Sequence, residues 1–137
     1  IPGRVTASLD VRHASDQVRA IALGALIAAA QLAAAKRSVE LATHIQLEQT
    51  AVPMSAHLTR LLDSAAKAAN QPSRRVISGA GHDAMIVAQR LPCAMLFLRS
   101  PGGISHHPDE IVRVEEVAAA IAVGRQCVLD LAGVSRG

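Results

Sequence analysis

From Arg4 to Arg12 apolar and polar residues alternate without a break, with Val5, Ala7, Leu9 and Val11 on one side and Arg4, Thr6, Ser8, Asp10 and Arg12 on the other. Period two is the pattern of a strand with one buried face. The period then lengthens. Ser15 offers an N-cap, Asp16 places a carboxylate where the helix dipole favours it, and an Ala-rich apolar run continues to Lys36 and Arg37, cations suited to a helix C-terminus. A second alternation follows, Val39, Leu41, Ile45 and Leu47 against Glu40, His44, Gln46 and Glu48. Strand, long helix, strand predicts a βαβ unit with a right-handed crossover.

Ala51-Val52-Pro53 interrupts this pattern. From Ser55, Leu58, Leu61, Leu62, Ala65, Ala66 and Ala69 recur at a spacing near 3.6, predicting an amphipathic helix that ends around Asn70-Gln71-Pro72. A boundary is therefore placed at Pro53. Beyond it the pattern predicts a short strand at Arg75-Val76-Ile77, a small-residue turn Ser78-Gly79-Ala80-Gly81, and a helix opening at His82-Asp83. A buried apolar strand, Ala94 to Leu98, a polar loop from Arg99 to Glu110, and a helix from about Val114 to Ala132 complete the chain. Helices alternating with short apolar strands predict an α/β class.

Composition narrows the function. Of 137 residues 50% are hydrophobic, enough for a core, yet aromatic residues are 1%, with Phe97 alone and no Trp or Tyr. Stacking surfaces for bases are nearly absent, and the net charge of +3 is scattered, so no nucleic-acid partner is expected. The uninterrupted apolar stretch Ala20 to Ala30 is too short to cross a bilayer, so no membrane partner is expected either. No secretory leader pattern opens the chain, and Cys93 and Cys127 lack CxxC spacing. Free thiols in a reducing, cytoplasmic compartment are expected. Ile1-Pro2-Gly3 opens on a strand pattern without Met, as expected of a piece of a longer polypeptide.

Six histidines are the candidates for chemistry. His44, on the polar side of a strand, and His57, on a helix, read as solvated surface. His82 and His106 stand in loops after apolar strands, where open α/β sheets bind ligands. His106 lies in Gly102-Gly103-Ile104-Ser105-His106-His107-Pro108-Asp109-Glu110, which combines flexible glycines, two imidazoles and two carboxylates. Imidazole is a common zinc ligand. A catalytic zinc needs about three protein ligands, and no HExxH or CxxC supplies the others.

The runs Ser78-Gly79-Ala80-Gly81-His82-Asp83-Ala84-Met85, Met95 to Ser100 and Gly103 to Glu110 resemble the C-terminal part of the M20-type amidohydrolases that cleave ureido compounds. That group comprises allantoate amidohydrolase, N-carbamoyl-L-amino acid hydrolase and β-ureidopropionase. Ile1-Pro2-Gly3-Arg4 and Leu9-Asp10-Val11-Arg12-His13 resemble its lid segment. The resemblance implies that residues 1–51 are the βαβ end of a ferredoxin-like lid and dimerisation domain, and residues 52–137 the C-terminal part of an α/β dinuclear-metal hydrolase domain. By the same resemblance His106 is a metal ligand, Gly81 and His82 contact substrate at the scissile group, where His82 is catalytic, and Arg12 binds the substrate carboxylate. Supporting roles fall to Asp83, His107 and Glu110, and His13 is left unassigned.

Two divalent metal ions, zinc or manganese, are implied for the intact subunit. Metal-bound water would attack the ureido carbon and release ammonia and carbon dioxide. The family's other metal ligands and its general base have no counterpart here, so the 137 residues alone are expected to be inactive. Implied partners are a small ureido-carboxylate substrate, a second subunit through the lid, and a missing N-terminal segment that covers exposed apolar faces. The motif from Met95 to Glu110 favours allantoate and a place in ureide catabolism. The alternatives are N-carbamoyl-L-amino acid hydrolase or β-ureidopropionase and, from another class, an inactive truncated chain or a non-catalytic βαβ module.

Overall fold

The structure, a computed structural model, describes residues 2–133; Ile1, which opens the lid-like motif, lies outside them. Its regular elements are the helices α1 (Asp16–Lys36), α2 (Ala56–Ala68), α3 (Asp83–Val87) and α4 (Val114–Leu131), with a 3-10 turn at Pro101–Gly103. The chain forms two compact units. One holds the part up to Ala51 together with Ile77–Ala80, the other Val52–Val76 together with the part from Gly81 onward.

Helix starts follow local chemistry. The Ser15 hydroxyl accepts the Val18 N–H at 3.4 Å, and the Ser55 hydroxyl accepts that of Leu58 at 3.3 Å. Each cap satisfies a backbone donor that the first turn leaves without a partner. At the end of α2, Asn70 turns to φ 53° and the Gln71 N–H donates to the Ala66 carbonyl at 2.8 Å. Asn tolerates this left-handed geometry better than most side chains.

The expected α/β architecture is not formed. Among the described residues there is no strand and no sheet, so neither the βαβ end of a ferredoxin-like lid nor the strands of a hydrolase domain are present. Residues 4–12, 39–48, 75–77 and 94–98 run outside any regular element. Alternation records which side of a segment is apolar, but a strand also needs a neighbour to pair its backbone N–H and C=O groups. Without one the apolar side stays in solvent: Val5 is 80% exposed and Leu47 74%. The segment read as a buried strand is likewise exposed at Leu96, Phe97 and Leu98.

In the first unit, α1 is apolar on every side and buries none of its residues. At 21 residues and a mean hydropathy of 1.8 it is long and apolar enough, by length and composition, to cross a membrane. This corrects the reading from Ala20 to Ala30 alone, because the helix extends past that run at both ends. Arg19 joins α1 to the segment that follows it, with Nη2 3.5 Å from Asp16 and 3.6 Å from Glu48. Asp16 in turn accepts the Ala51 N–H at 3.1 Å.

The buried core lies in the second unit, where α2 packs on α4. Ala65 and Ala66 meet Val123 and Cys127, and Leu61, Leu62 and Ala69 pack around them. Small side chains at the contact allow helices to approach closely. Polar ties brace the pair. Arg99 donates through Nε to Glu116 of α4 at 2.7 Å and through Nη2 to Gln71, just past α2, at 3.2 Å, while Arg75 donates to Asp63 at 2.6 Å and ties α2 to the segment that follows it. The Ser55 N–H donates to the Cys93 carbonyl at 2.8 Å and so attaches the start of α2 to the chain after α3.

Candidate functional site

Arg12 belongs to the first unit. Two positions apart on an extended segment, it shares a side with Asp10, and the two pair. Arg12 Nε donates to both Asp10 carboxylate oxygens at 3.0 Å, and Nη2 donates to Oδ2. A third nitrogen, Nη1, donates to the Gly79 carbonyl, which joins the first extended segment to the Ser78–Ala80 turn of the same unit. The hydrogen bond from Arg12 holds the Asp10 carboxyl below its ordinary range against the opposing effect of desolvation, and Arg12's charge adds to it. Asp10 raises the Arg12 pKa through the same bond and its charge. Both groups are exposed, which leaves the guanidinium open to solutes. His13 does not extend this cluster; its Nδ1 accepts the Ser15 N–H at 3.0 Å and shapes the entry to α1.

Gly81 and His82 open the second unit's return. His82 precedes α3 in extended conformation and its side chain makes no capping bond. Its ring meets Phe97 edge-on with centroids 5.4 Å apart, so the chain's one aromatic residue supports this imidazole. His82 as a whole is half-buried. At Gly81 an added Cβ would meet only the Met85 sulfur at 3.9 Å, an ordinary contact. Space alone does not require glycine there. Asp83 occupies the first turn of α3.

His106 is exposed and sits at φ 55°, in the left-handed region. Gly102 and Gly103 precede it at φ 71° and 67°, a conformation that suits glycine. The loop is tied from behind. Glu110 accepts the His106 N–H at 2.8 Å and donates its own N–H to the His107 carbonyl at 2.9 Å, while His107 Nδ1 accepts the Asp109 N–H at 3.2 Å. Glu110 and His107 thus shape the loop that presents His106.

These positions are distributed over both units, Arg12 in the first and Gly81, His82 and His106 in the second. No three His, Cys, Asp or Glu side chains gather into a metal-holding group among the described residues. His106 supplies one imidazole, short of the three protein ligands of a catalytic zinc, so the residues described do not by themselves fit a metal centre. An open depression in the second unit, lined by Pro53, Met54, Ser55 and the 88–93 segment, contains none of the four. Sequence patterning passed over Asp10 and Phe97. The i, i+2 spacing of Asp10 and Arg12 carried a signal, whereas the approach of Phe97 to His82 across 15 positions carried none.

The sequence matches peptidase family M20/M25/M40 over residues 14–130. It is 36% identical to allantoate deiminase of Arabidopsis thaliana, covering 88% of this chain and 24% of that protein. It is 29% identical to allantoate amidohydrolase of Bacillus subtilis, covering 96% of this chain and 31% of the relative. To the N-carbamoyl-L-amino acid amidohydrolase of Geobacillus stearothermophilus it is 33% identical, over 96% of this chain and 32% of that protein. The chain thus spans about a quarter to a third of the length of these curated relatives. No solved structure gives a significant match. With the family's pattern running through 117 of its residues, from the approach to α1 to the last turn of α4, the chain belongs to peptidase family M20/M25/M40.

Proposed function

We propose that these residues are part of a longer amidohydrolase that hydrolyses a ureido C–N bond, with allantoate as its substrate. The observation that carries this reading is the similarity of nearly the whole chain to proteins named for hydrolysis of allantoate or N-carbamoyl amino acids. Arg12 grips the substrate carboxylate; its exposed, fully charged guanidinium matches a carboxylate with parallel hydrogen bonds, as a lysine ammonium cannot. His82 donates a hydrogen bond to the oxygen that gains negative charge as water adds to the ureido carbon. Gly81, without a side chain, admits the substrate to the backbone beside it. His106 supplies one ligand to a divalent metal, zinc or manganese, whose other ligands lie elsewhere in the longer protein.

Residues 1–51 act as the end of a lid that pairs two subunits, and residues 52–137 as the end of the catalytic domain. The apolar surface left open on α1 and α4 is covered in the whole protein by a second subunit and by its remaining segments; Ile21 and Ile121 are 66% and 65% exposed. Two free cysteines fit a reducing cytoplasm.

A substrate panel on the full-length protein tests the reading. Allantoate is expected to turn over fastest, and much faster turnover of N-carbamoyl amino acids or N-carbamoyl-β-alanine would move the assignment to those enzymes. Failure to hydrolyse any ureide would remove the amidohydrolase reading. The 137 residues alone are expected to hydrolyse nothing; activity and two tightly held metals in this chain by itself would refute that.

A further inference from the structure

Resting on the reading of Arg12 as the carboxylate anchor, we infer that Asp10 is a positioning residue for substrate recognition, holding the Arg12 guanidinium by one edge so that its two terminal nitrogens are presented to the substrate carboxylate. The hydrogen bonds define the arrangement. A guanidinium has five N–H donors in a rigid plane. Asp10 takes the Nε donor and one on Nη2, and the Gly79 carbonyl takes one on Nη1. By count one N–H then remains on Nη1 and one on Nη2 for a substrate carboxylate.

An unpaired arginine on an exposed extended segment samples many rotamers, and binding must then order it. With its near edge clamped and Nη1 seated on a backbone carbonyl, Arg12 has lost most of that freedom before substrate arrives. Asp10 also opposes recognition in one respect, since its charge cancels part of the attraction that Arg12 exerts on an anion. For groups this exposed, solvent and salt weaken the charge effect more than they weaken hydrogen-bonded geometry. The positioning effect therefore prevails.

The test uses the full-length protein with allantoate and with an analogue whose carboxylate is a neutral amide. Asp10→Ala and Asp10→Asn are expected to raise KM for allantoate about three- to fivefold, as suits an exposed charged pair, with kcat within twofold and an unchanged Tm. Asp10→Glu, which keeps the carboxylate, is expected to recover most of that loss. On the amide analogue Asp10→Ala is expected to have no effect, and in an Arg12→Ala background Asp10→Ala is expected to add nothing. Unchanged or lower KM for Asp10→Ala, while Arg12→Ala raises KM more than about tenfold, overturns the role of Asp10 and leaves the Arg12 reading intact. An equal effect on both substrates, or an added effect without Arg12, overturns it as well. If Arg12→Ala leaves KM unchanged, the Arg12 reading fails, and the role of Asp10 fails with it.

Discussion

The Glu110 carboxylate accepts the backbone N–H of His106 at 2.8 Å while His106 itself holds a left-handed φ of 55°. A side chain four positions later thus stabilises the backbone turn that puts this imidazole at the loop surface. Removing the acceptor in Glu110→Ala is expected to cost about 0.5–1 kcal/mol by chemical denaturation. It should also weaken divalent-metal binding in the full-length enzyme, read by titration. In His106→Gly, relief of the left-handed geometry and loss of backbone restraint offset each other at about 1 kcal/mol each. Tm is then expected to stay put while ureide hydrolysis disappears. A large fall in Tm would identify His106 as a structural residue instead.

Ala65 has no exposed surface and faces Val123 and Cys127 in the contact between α2 and α4. Ala65→Leu is expected to destabilise the second unit by about 1–3 kcal/mol, because the added methylenes must push the helices apart or force strained rotamers. At His57, exposed on the same helix, a leucine is expected to change stability by less than about 0.5 kcal/mol. Equal effects at the two positions would mean that α2 and α4 do not pack as described.

Asp63 is held below the ordinary carboxylate range chiefly by the Arg75 hydrogen bond, against desolvation and with help from Arg75's charge, Ser73 and Lys67. A carboxyl whose pKa is depressed on folding adds stability above its unfolded pKa and loses it as pH falls through the folded value. Stability is therefore expected to decline on acidification below the ordinary Asp range. Arg75→Ala should flatten this part of the profile and return the Asp63 pKa toward its ordinary value. Carboxyl NMR titration reads the pKa, and denaturation at stepped pH reads the stability.

Burial pushes the Cys127 thiol above its ordinary pKa, and Asp130 reinforces the shift. Thiolate is the reactive form, so Cys127 is expected to resist iodoacetamide near neutral pH until the protein is unfolded. Cys93 is half-buried, its thiol donating to the Ala84 carbonyl at 3.3 Å. It is expected to be alkylated first in the folded protein, as peptide mass mapping would show. Faster labelling of Cys127 would contradict the packing of α4.

Much of the local structure was legible from residue order. Ser15, Asp16 and Lys36 marked the ends of α1, and Ser55 with the Leu58 to Ala69 spacing marked α2, because capping and 3.6-residue periodicity act within a few residues of sequence. Motif similarity singled out Arg12, Gly81, His82 and His106, and the family match covers all but the first of them.

Pairing partners decided the rest. Alternation at Val5 to Val11 and Val39 to Leu47 specified which side of each segment is apolar. Whether those segments become strands depends on a neighbouring backbone that no local pattern encodes, and here they remain unpaired. The choice of core was likewise tertiary: α1 carries the most continuous apolar sequence and buries nothing, while the modest alanines of α2 are buried because α4 lies against them. Asp10 beside Arg12 follows from both levels. Period two put them on one side of the chain, but only the folded unit brought the Gly79 carbonyl, 67 positions from Arg12, to the third nitrogen of the guanidinium.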